Sequence, residues 1–534
     1  MRQGIKDLVS FADTLFSERS GLLGMWQAVM EHFAPASADF LGEKPLDDNF
    51  GDRLATSFPV LAARDFCDQM GQMLRPYATP YSEMYVEGLK DHDGLAWLQW
   101  ASGVQHRAKM HRPAQFGAVM KEADRDISLI GNAAISVNAM PDRSGLLYQG
   151  WHMRDVVWTD GINGRPNMVF RRWSPRLQQL VEKFGLEKLS LSLQSKWREK
   201  RGRMERIECI HMVVPTDMYA ETKFRTKYVS IHVVKSDCSE LECVGARSME
   251  YVLPRWRRVK GCQYALSPAV ECALPESRLL QAMVLTMLTA AEKAANPPTL
   301  AIEDVVRGDL NLYAGGVTWR TAAYDGKHSA LEAIQIDKSG LPIGLQMQAN
   351  CENLIRMAFY LDKLRLPVRD GTQTTAYEFA QRVQEYIRNV SDLFSPVEDE
   401  YSGGVEERTF EVLLQEGAFG PPEQMPDSLR GADVQFRFRN PIREAQDSAK
   451  SEMLAQGIEL AQRASAMDPN APLVIDIKPA LRDALIGKRF PMAWLRKPEA
   501  IEAAEKAQDD QAQQQAALQD AQMASQTVAN LVKA

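Results

Sequence analysis

Residues 274–298 read Leu274-Pro275-Glu276-Ser277-Arg278-Leu279-Leu280-Gln281-Ala282-Met283-Val284-Leu285-Thr286-Met287-Leu288-Thr289-Ala290-Ala291-Glu292-Lys293-Ala294-Ala295-Asn296-Pro297-Pro298. Pro275 suits a first helical turn, where its missing N–H costs nothing, and Glu276 complements the positive end of the helix dipole. Asn296-Pro297-Pro298 stops the run. Apolar side chains cover most of the circumference, and such a helix needs neighbours on several sides. A second helix is predicted over Leu345–Leu364, with Met347, Leu354, Ile355, Ala358, Phe359 and Leu361 apolar. Each helix is roughly 30 Å long at about 1.5 Å per residue. Between them, Thr299–Leu341 is a short mixed segment with turn signals at Gly315-Gly316, Asp325-Gly326 and Ser339-Gly340. The unit is helix, compact module, helix. Its greasiest run, Leu279–Ala291, is 13 residues long and contains Gln281, Thr286 and Thr289. A membrane span needs about 20 apolar residues, so none is expected.

On the N-terminal side, residues 5–35 have the periodicity of an amphipathic helix, and Asp52–Leu74 repeats it, with Pro59 either kinking that helix or marking its true start. Helices are also predicted over Leu95–Arg112 and Phe116–Ile130. The character then turns to strand: Ala133–Asn138, Leu146–Trp151, Val156–Trp158, Asn167–Trp173, Ile207–Val214, Tyr228–Val234 and Ser248–Leu253, with a helix at Arg176–Phe184. Lys196–Arg206 carries six basic residues in eleven, either a contact for phosphate or an acidic partner or a solvated helix end or loop.

On the C-terminal side, Arg365–Thr374 lacks periodicity, carries Pro and Gly, and reads as an exposed loop. Thr375-Ala376-Tyr377-Glu378 fits a capping box. Helix is expected through Val390 and on to about Gly417, broken near Ser395-Pro396. A strand is expected at Ala432–Phe438, then helices at Ile442–Met467 and Pro479–Leu485. The Ala- and Gln-rich tail 500–534 fits either a helical coil or a frayed end. The fold class is α+β, predominantly helical.

Over 534 residues the chain is 45% hydrophobic and 25% charged, an ordinary globular balance with ample sequence for a core. Lys plus Arg number 63 against 70 Asp plus Glu, a net charge of −7, which argues against tight wrapping of nucleic acid. Seven dispersed cysteines without a CxxC read as reduced thiols of a cytosolic setting, and the first residues lack the apolar run of a signal peptide. There is no P-loop, HExxH, G-x-S-x-G or G-x-G-x-x-G. His106 and His111 fall on different faces of one predicted helix, unlike zinc ligands. No catalytic residue, metal or cofactor is expected. The rival reading, a metal-dependent nuclease or hydrolase, would draw on Asp47, Asp48 and Asp52.

Several blocks resemble the portal, or head-to-tail connector, proteins of short-tailed bacteriophages. They are Pro254-Arg255-Trp256-Arg257-Arg258, Tyr264-Ala265-Leu266-Ser267-Pro268, Ala273-Leu274-Pro275-Glu276, Ala290-Ala291-Glu292-Lys293, Asn296-Pro297-Pro298, Thr374-Thr375-Ala376-Tyr377-Glu378-Phe379, Glu416–Pro422 and Arg439-Asn440-Pro441-Ile442-Arg443-Glu444-Ala445-Gln446. Their order and spacing matter more than any single block, and the resemblance covers the chain from about Asp52 to Lys497. The family's usual Tyr-Gly before Ser-Pro is here Tyr264-Ala265-Leu266, and Thr374 stands where Met is usual.

The resemblance implies a portal fold. Residues 1–260 would form a wing with its β-rich part at about 130–260. Residues 261–298 would carry the first stem helix, 299–341 the clip, 342–364 the second stem helix and 365–374 the tunnel loop. Residues 375–440 would form a wing helix and strand, and 441–534 the crown and tail. It implies a ring of about twelve copies at one capsid vertex. Double-stranded DNA would pass through the channel without sequence readout, and the ring would assemble in the host cytoplasm and end in the virion. The tunnel-loop residues would be Arg365, Arg369, Asp370, Gly371, Thr372 and Gln373. Stem packing between copies would use Leu279, Met283, Met287, Leu354, Ala358 and Leu361, and clip docking Trp319, Arg320, Asp325 and Lys327. Implied partners are other copies of the chain, the major capsid and scaffolding proteins, the terminase large subunit and a tail adaptor, with no membrane. A tail adaptor is the other virion protein considered, though adaptors are generally much shorter.

Overall fold

The computed structural model describes residues 4–42, 54–76, 80–89, 91–220, 224–295, 299–301, 306–307, 319–320, 331–333, 340–364, 385, 397–438, 455–463, 476–487, 490–504, 506–508, 510–511 and 513–515. The chain divides into two compact units, one of residues 1–73 and 110–411, the other of 74–109 and 412–534. It is an α+β chain in which helix is the larger share.

The run predicted as one helix is two, α1 (Ile5–Glu18) and α2 (Ser20–Phe33). The break falls at Arg19, whose buried side chain donates to the carbonyls of Met153 at 2.5 Å, Arg154 at 2.6 Å and Val156. Three carbonyls of a distant loop thus decide where the helix turns, which local periodicity does not record. Helix α3 (Phe58–Leu74) starts at Phe58, so Pro59 lies in the first turn rather than at a kink. Strand β1 (Ser82–Tyr85) and helix α4 (His92–Met110) follow, then α5 (Phe116–Ile130).

Helix α5 ends at Gly131, with φ of 79°, where a Cβ would sit 2.9 Å from the Ala265 carbonyl oxygen. Both the dihedral and the closeness require glycine. Next come β2 (Ile135–Ala139), β3 (Leu146–Gly150), β4 (Val156–Asp160), β5 (Pro166–Trp173), α6 (Leu177–Phe184), α7 (Leu191–Arg198), β6 (Cys209–Pro215), β7 (Tyr228–Val234), β8 (Ser239–Ala246) and β9 (Tyr251–Val252). Strands β4 to β8 form an antiparallel meander in sequence order, and β3-β2-β9 a separate three-stranded sheet. The expected strand Ser248–Leu253 shrinks to β9, and β8 went unpredicted because its Ser-Glu-Leu-Glu-Cys-Val-Gly-Ala sequence is mostly polar and small.

Alternation assigns the two faces of the meander. On one, Phe170, Ile210, Met212, Val214, Val229, Ile231 and Val233 pack against Leu8, Val9, Ala12 and Phe16 of α1. On the other, Cys209, Val234 and Leu241 pack under α6 and α7. Beside them the same face carries a polar row in register across four strands: Arg171 opposite His211, His211 opposite His232, His232 opposite Glu242. The two imidazoles stack at 4.0 Å and 11°. His211 bonds to the Tyr251 hydroxyl at 2.5 Å and the Ser230 hydroxyl at 2.8 Å, and Arg171 donates to Tyr251 at 2.8 Å. Burial, with the Lys183 and Arg171 charges added, pushes the His232 pKa down to about 2 and holds His211 well below the usual imidazole range.

The second unit pairs β1 with β14 (Gln435–Phe438) in antiparallel register. Lys109 of α4, fully buried, bonds to the Tyr81 hydroxyl at 3.1 Å and the Ser82 hydroxyl at 3.0 Å. Ile477–Gly487 is helical, and its Arg482 meets His92 at 3.0 Å. Most of the expected helix Ile442–Met467 lies outside the described residues.

Candidate assembly surface

A π-helical turn, Ala269–Ala273, precedes residues 274–298 and runs straight into α8 (Leu274–Ala295). After α8, the described residues include the short strands β10 (Thr299–Ala301), β11 (Val306–Arg307), β12 (Trp319–Arg320) and β13 (Leu331–Ala333). They pair as β10 with β13 and β11 with β12, both antiparallel. Then α9 (Gly340–Ala358) returns alongside α8. The second helix therefore starts and stops about five residues earlier than the sequence reading Leu345–Leu364. It ends where Tyr360 takes φ of 55° and its carbonyl receives the Leu364 and Lys363 amides.

The base of this hairpin is fixed by the motif residues that precede it. Arg255 is almost fully buried and donates to Asp160 at 2.8 Å, to Glu400 at 3.2 Å and to the Gly164 carbonyl at 2.8 Å; Arg258 also pairs with Glu400. Trp256 meets Phe66 edge-on at 5.6 Å, and Tyr264 lies between Trp158 at 4.5 Å and Trp26 at 5.7 Å. Asn132 exchanges hydrogen bonds with the backbone of Ala265, and the Ser267 hydroxyl donates to the Leu129 carbonyl at 2.6 Å. Side chains of α8 continue the clamp. The Gln281 amide makes two bonds to the Thr56 backbone, at 3.0 and 2.9 Å, and Ser277 meets His32 at 3.0 Å. From the C-terminal end of α9, buried Cys351 and Ile355 face inward and Phe359 packs between Phe33 at 5.2 Å and Phe66 at 5.5 Å. Burial and the Glu276 carboxylate raise the Cys351 thiol pKa.

Beyond the base the picture changes. After Leu280 no residue of α8 is buried. Met287 packs against Gly344, where a Cβ would come within 3.1 Å of its sulfur, so the two helices touch closely there. At about 100° per residue, Leu280 and Met287 share the side of α8 that meets α9. Leu279 and Met283 fall on one flank of that side, Leu285 and Leu288 on the other. Leu285 is 59% exposed and Leu288 and Leu279 nearly as much, and α9 adds Ile343 at 62% together with Leu345, Met347, Leu354 and Met357. Among the described residues the hairpin thus presents apolar groups on two opposite flanks, Leu279 exposed with half-buried Met283 on one, Leu285 and Leu288 exposed on the other. Exposed apolar area of this extent marks an interaction surface.

Of the predicted packing residues, Leu279 and Leu354 are exposed, and Met283, Met287 and Ala358 are half-buried. Leu361 is different: only 7% exposed, it already lies in this chain's own core, because it sits past the end of α9 where the backbone folds back. The sequence reading did not name Leu285, Leu288, Ile343 or Leu345 as packing candidates, although the all-round hydropathy of α8 pointed to the first two. Of the residues expected in a clip, Trp319 and Arg320 form β12, while Asp325 and Lys327 lie outside the described residues. So do the residues expected in a tunnel loop, Arg365, Arg369, Asp370, Gly371, Thr372 and Gln373, and the rival reading's Asp47, Asp48 and Asp52. Among the described residues no three His, Cys, Asp or Glu side chains cluster to hold a metal, and no helix is long and apolar enough to cross a membrane.

Against known proteins, the family described as "Bacteriophage head to tail connecting protein" matches residues 6–487. A probable portal protein of Bordetella phage BPP-1 is 26% identical over 83% of this chain and 80% of its own length. A portal protein of Salmonella phage epsilon15 is 22% identical over 88% of this chain and 84% of its own. A chain in the virion of a native gene transfer agent particle aligns over 75% of this chain and 85% of its own at 11% identity, with a TM-score of 0.34.

Proposed function

The chain belongs to the bacteriophage head-to-tail connecting proteins, and from that premise we propose that it is a portal subunit, a structural rather than catalytic protein of the virion. Copies would close into a ring, about twelve in number, at one capsid vertex. The observation that carries this is the α8–α9 hairpin with uncovered apolar groups on two opposite flanks. A subunit of a closed ring needs two different patches, one for each neighbour. Leu279 and Met283 supply one such patch, Leu285 and Leu288 the other.

In this reading the hairpin is the stem, and Gly344 lets its two helices approach closely enough to act as one strut. The segment 299–341 is the clip, where Trp319, Arg320, Asp325 and Lys327 would meet the terminase large subunit during packaging and a tail adaptor afterwards. Residues 1–260 and 375–440 form the wing and 441–534 the crown and tail, with the major capsid and scaffolding proteins around them. Double-stranded DNA passes through the channel without sequence readout, since backbone contacts carry no base information. Arg365 and Arg369 of the tunnel loop would touch it weakly and in a salt-sensitive way. The ring assembles in the host cytoplasm and ends at the capsid vertex.

Electron microscopy of the purified chain tests the ring: end-on views are expected to show an annulus with a central hole, and compact monomers at high concentration would refute it. The loop has its own test. Arg365→Glu with Arg369→Glu is expected to leave the annulus intact and lower the yield of packaged genome; unchanged yield would remove the loop from the mechanism.

A further inference from the structure

The basic run around residues 196–206 is absorbed by none of the roles above. It belongs to a small lobe in which α6, α7 and the turn Gly202–Met204 fold over a patch of the meander, with Leu193 buried and Trp197 partly buried beneath. From Arg176 to Arg206 this lobe carries nine Lys or Arg against four Asp or Glu, in a chain whose net charge is −7. Charge separation of this kind selects partners by their own charge.

Some of these cations are paired, Lys196 with Glu205 at 2.6 Å and Lys188 with Glu242 at 3.8 Å, and others are presented to solvent. Arg198, Lys200 and Arg201 are exposed and have no partner among the described residues. Arg203 is held in place: its Nε donates to the Trp197 carbonyl at 3.0 Å and its guanidinium lies 4.7 Å over the Trp197 ring. Gly202 fastens the turn to the end of α7, since a Cβ there would overlap the Lys196 carbonyl. Two apolar side chains stand among these charges. Leu191 is 84% exposed, and Met204 is 56% exposed. Leu191 and Arg198 are seven residues apart, so they share the solvent face of α7 while Leu193 and Trp197 turn inward.

We infer that this lobe is a docking surface for an acidic amphipathic segment of another protein. A phosphate backbone would use the arginines and gain nothing from Leu191 and Met204. A segment with carboxylates along one edge and apolar side chains along the other would use both. The surface is separate from the hairpin, so it stands or falls independently of the ring.

Fluorescence anisotropy with the full chain and two labelled probes tests this. One probe is a designed peptide of about 20 residues with Glu on one helical face and Leu on the other; the second is a DNA duplex of about 20 base pairs. The peptide is expected to bind, to lose about tenfold or more in affinity with Arg198→Glu plus Arg201→Glu, and to lose a few-fold with Leu191→Ser. Thermal melting of these variants should match wild type, because all three side chains are exposed. Peptide affinity indifferent to the charge reversal, or no peptide binding at all, would overturn the inference. So would tighter binding of the duplex with indifference to Leu191→Ser, which would make the lobe a nucleic-acid surface instead.

Discussion

The five-stranded meander and the helical hairpin both carry continuous apolar runs, yet the chain treats them in opposite ways. The meander is closed by its own neighbours: α1 covers one face, and α6 and α7 cover part of the other. Among the described residues the hairpin is closed only at its base, and beyond Leu280 α8 keeps no buried residue. Equal hydrophobicity therefore meets two outcomes, a core finished within one chain and, among the described residues, apolar flanks left exposed, which the proposed ring would cover. The difference lies in what the rest of the sequence provides to cover each.

The largest stability effect should separate these regions. Ile231→Asp places an unpaired charge between the sheet and α1, and should cost at least about 5 kcal/mol, leaving little folded chain in a urea titration. The opposite result, a modest shift, would mean the meander is not the closed core described. A smaller loss is expected at the base of the hairpin. Arg255→Ala strands Asp160 and Glu400, both about a quarter exposed and so partly rehydrated. About 2–3 kcal/mol should be lost, read as a lower midpoint of thermal unfolding. No change would detach the hairpin base from the meander's ion pairs.

Acid sharpens the comparison further. An unfolded histidine takes up a proton below about pH 6.5, whereas folded His232 resists until about 2 and His211 is held down in the same direction. Through that window the unfolded chain binds more protons, so stability falls as pH drops and is complete above about 6.5. His232→Leu should flatten the slope of stability against pH by about 1 kcal/mol per pH unit between roughly pH 6 and 4. An unaltered slope would contradict the buried, neutral imidazole stack.

Much of the meander was legible because alternation in Ile207–Val214 and Tyr228–Val234 reports a two-sided sheet directly. Helix α5 matched its predicted range, since Gly131 ends it with a dihedral that favours glycine. What escaped reading was set by tertiary partners. Arg19 divides α1 from α2 because it finds carbonyls far along the chain, and β8 forms on polar residues because β7 offers it a ladder. The assembly surface was half legible. The greasy circumference of α8 called for several neighbours, but only the packing of Met287 on Gly344 shows which side α9 takes and which flanks remain. Leu361 lies buried within its own chain, past the helix end, since the apolar periodicity continues beyond Tyr360 while α9 does not.

The central claim is that copies of this chain cover the hairpin's two flanks. Mass photometry of the wild type beside Leu285→Asp plus Leu288→Asp tests it most directly. Both side chains are solvent-facing in the single chain, so the variant should melt like wild type yet remain a monomer where wild type forms one large, discrete oligomer. A variant that assembles as readily as wild type would contradict the account.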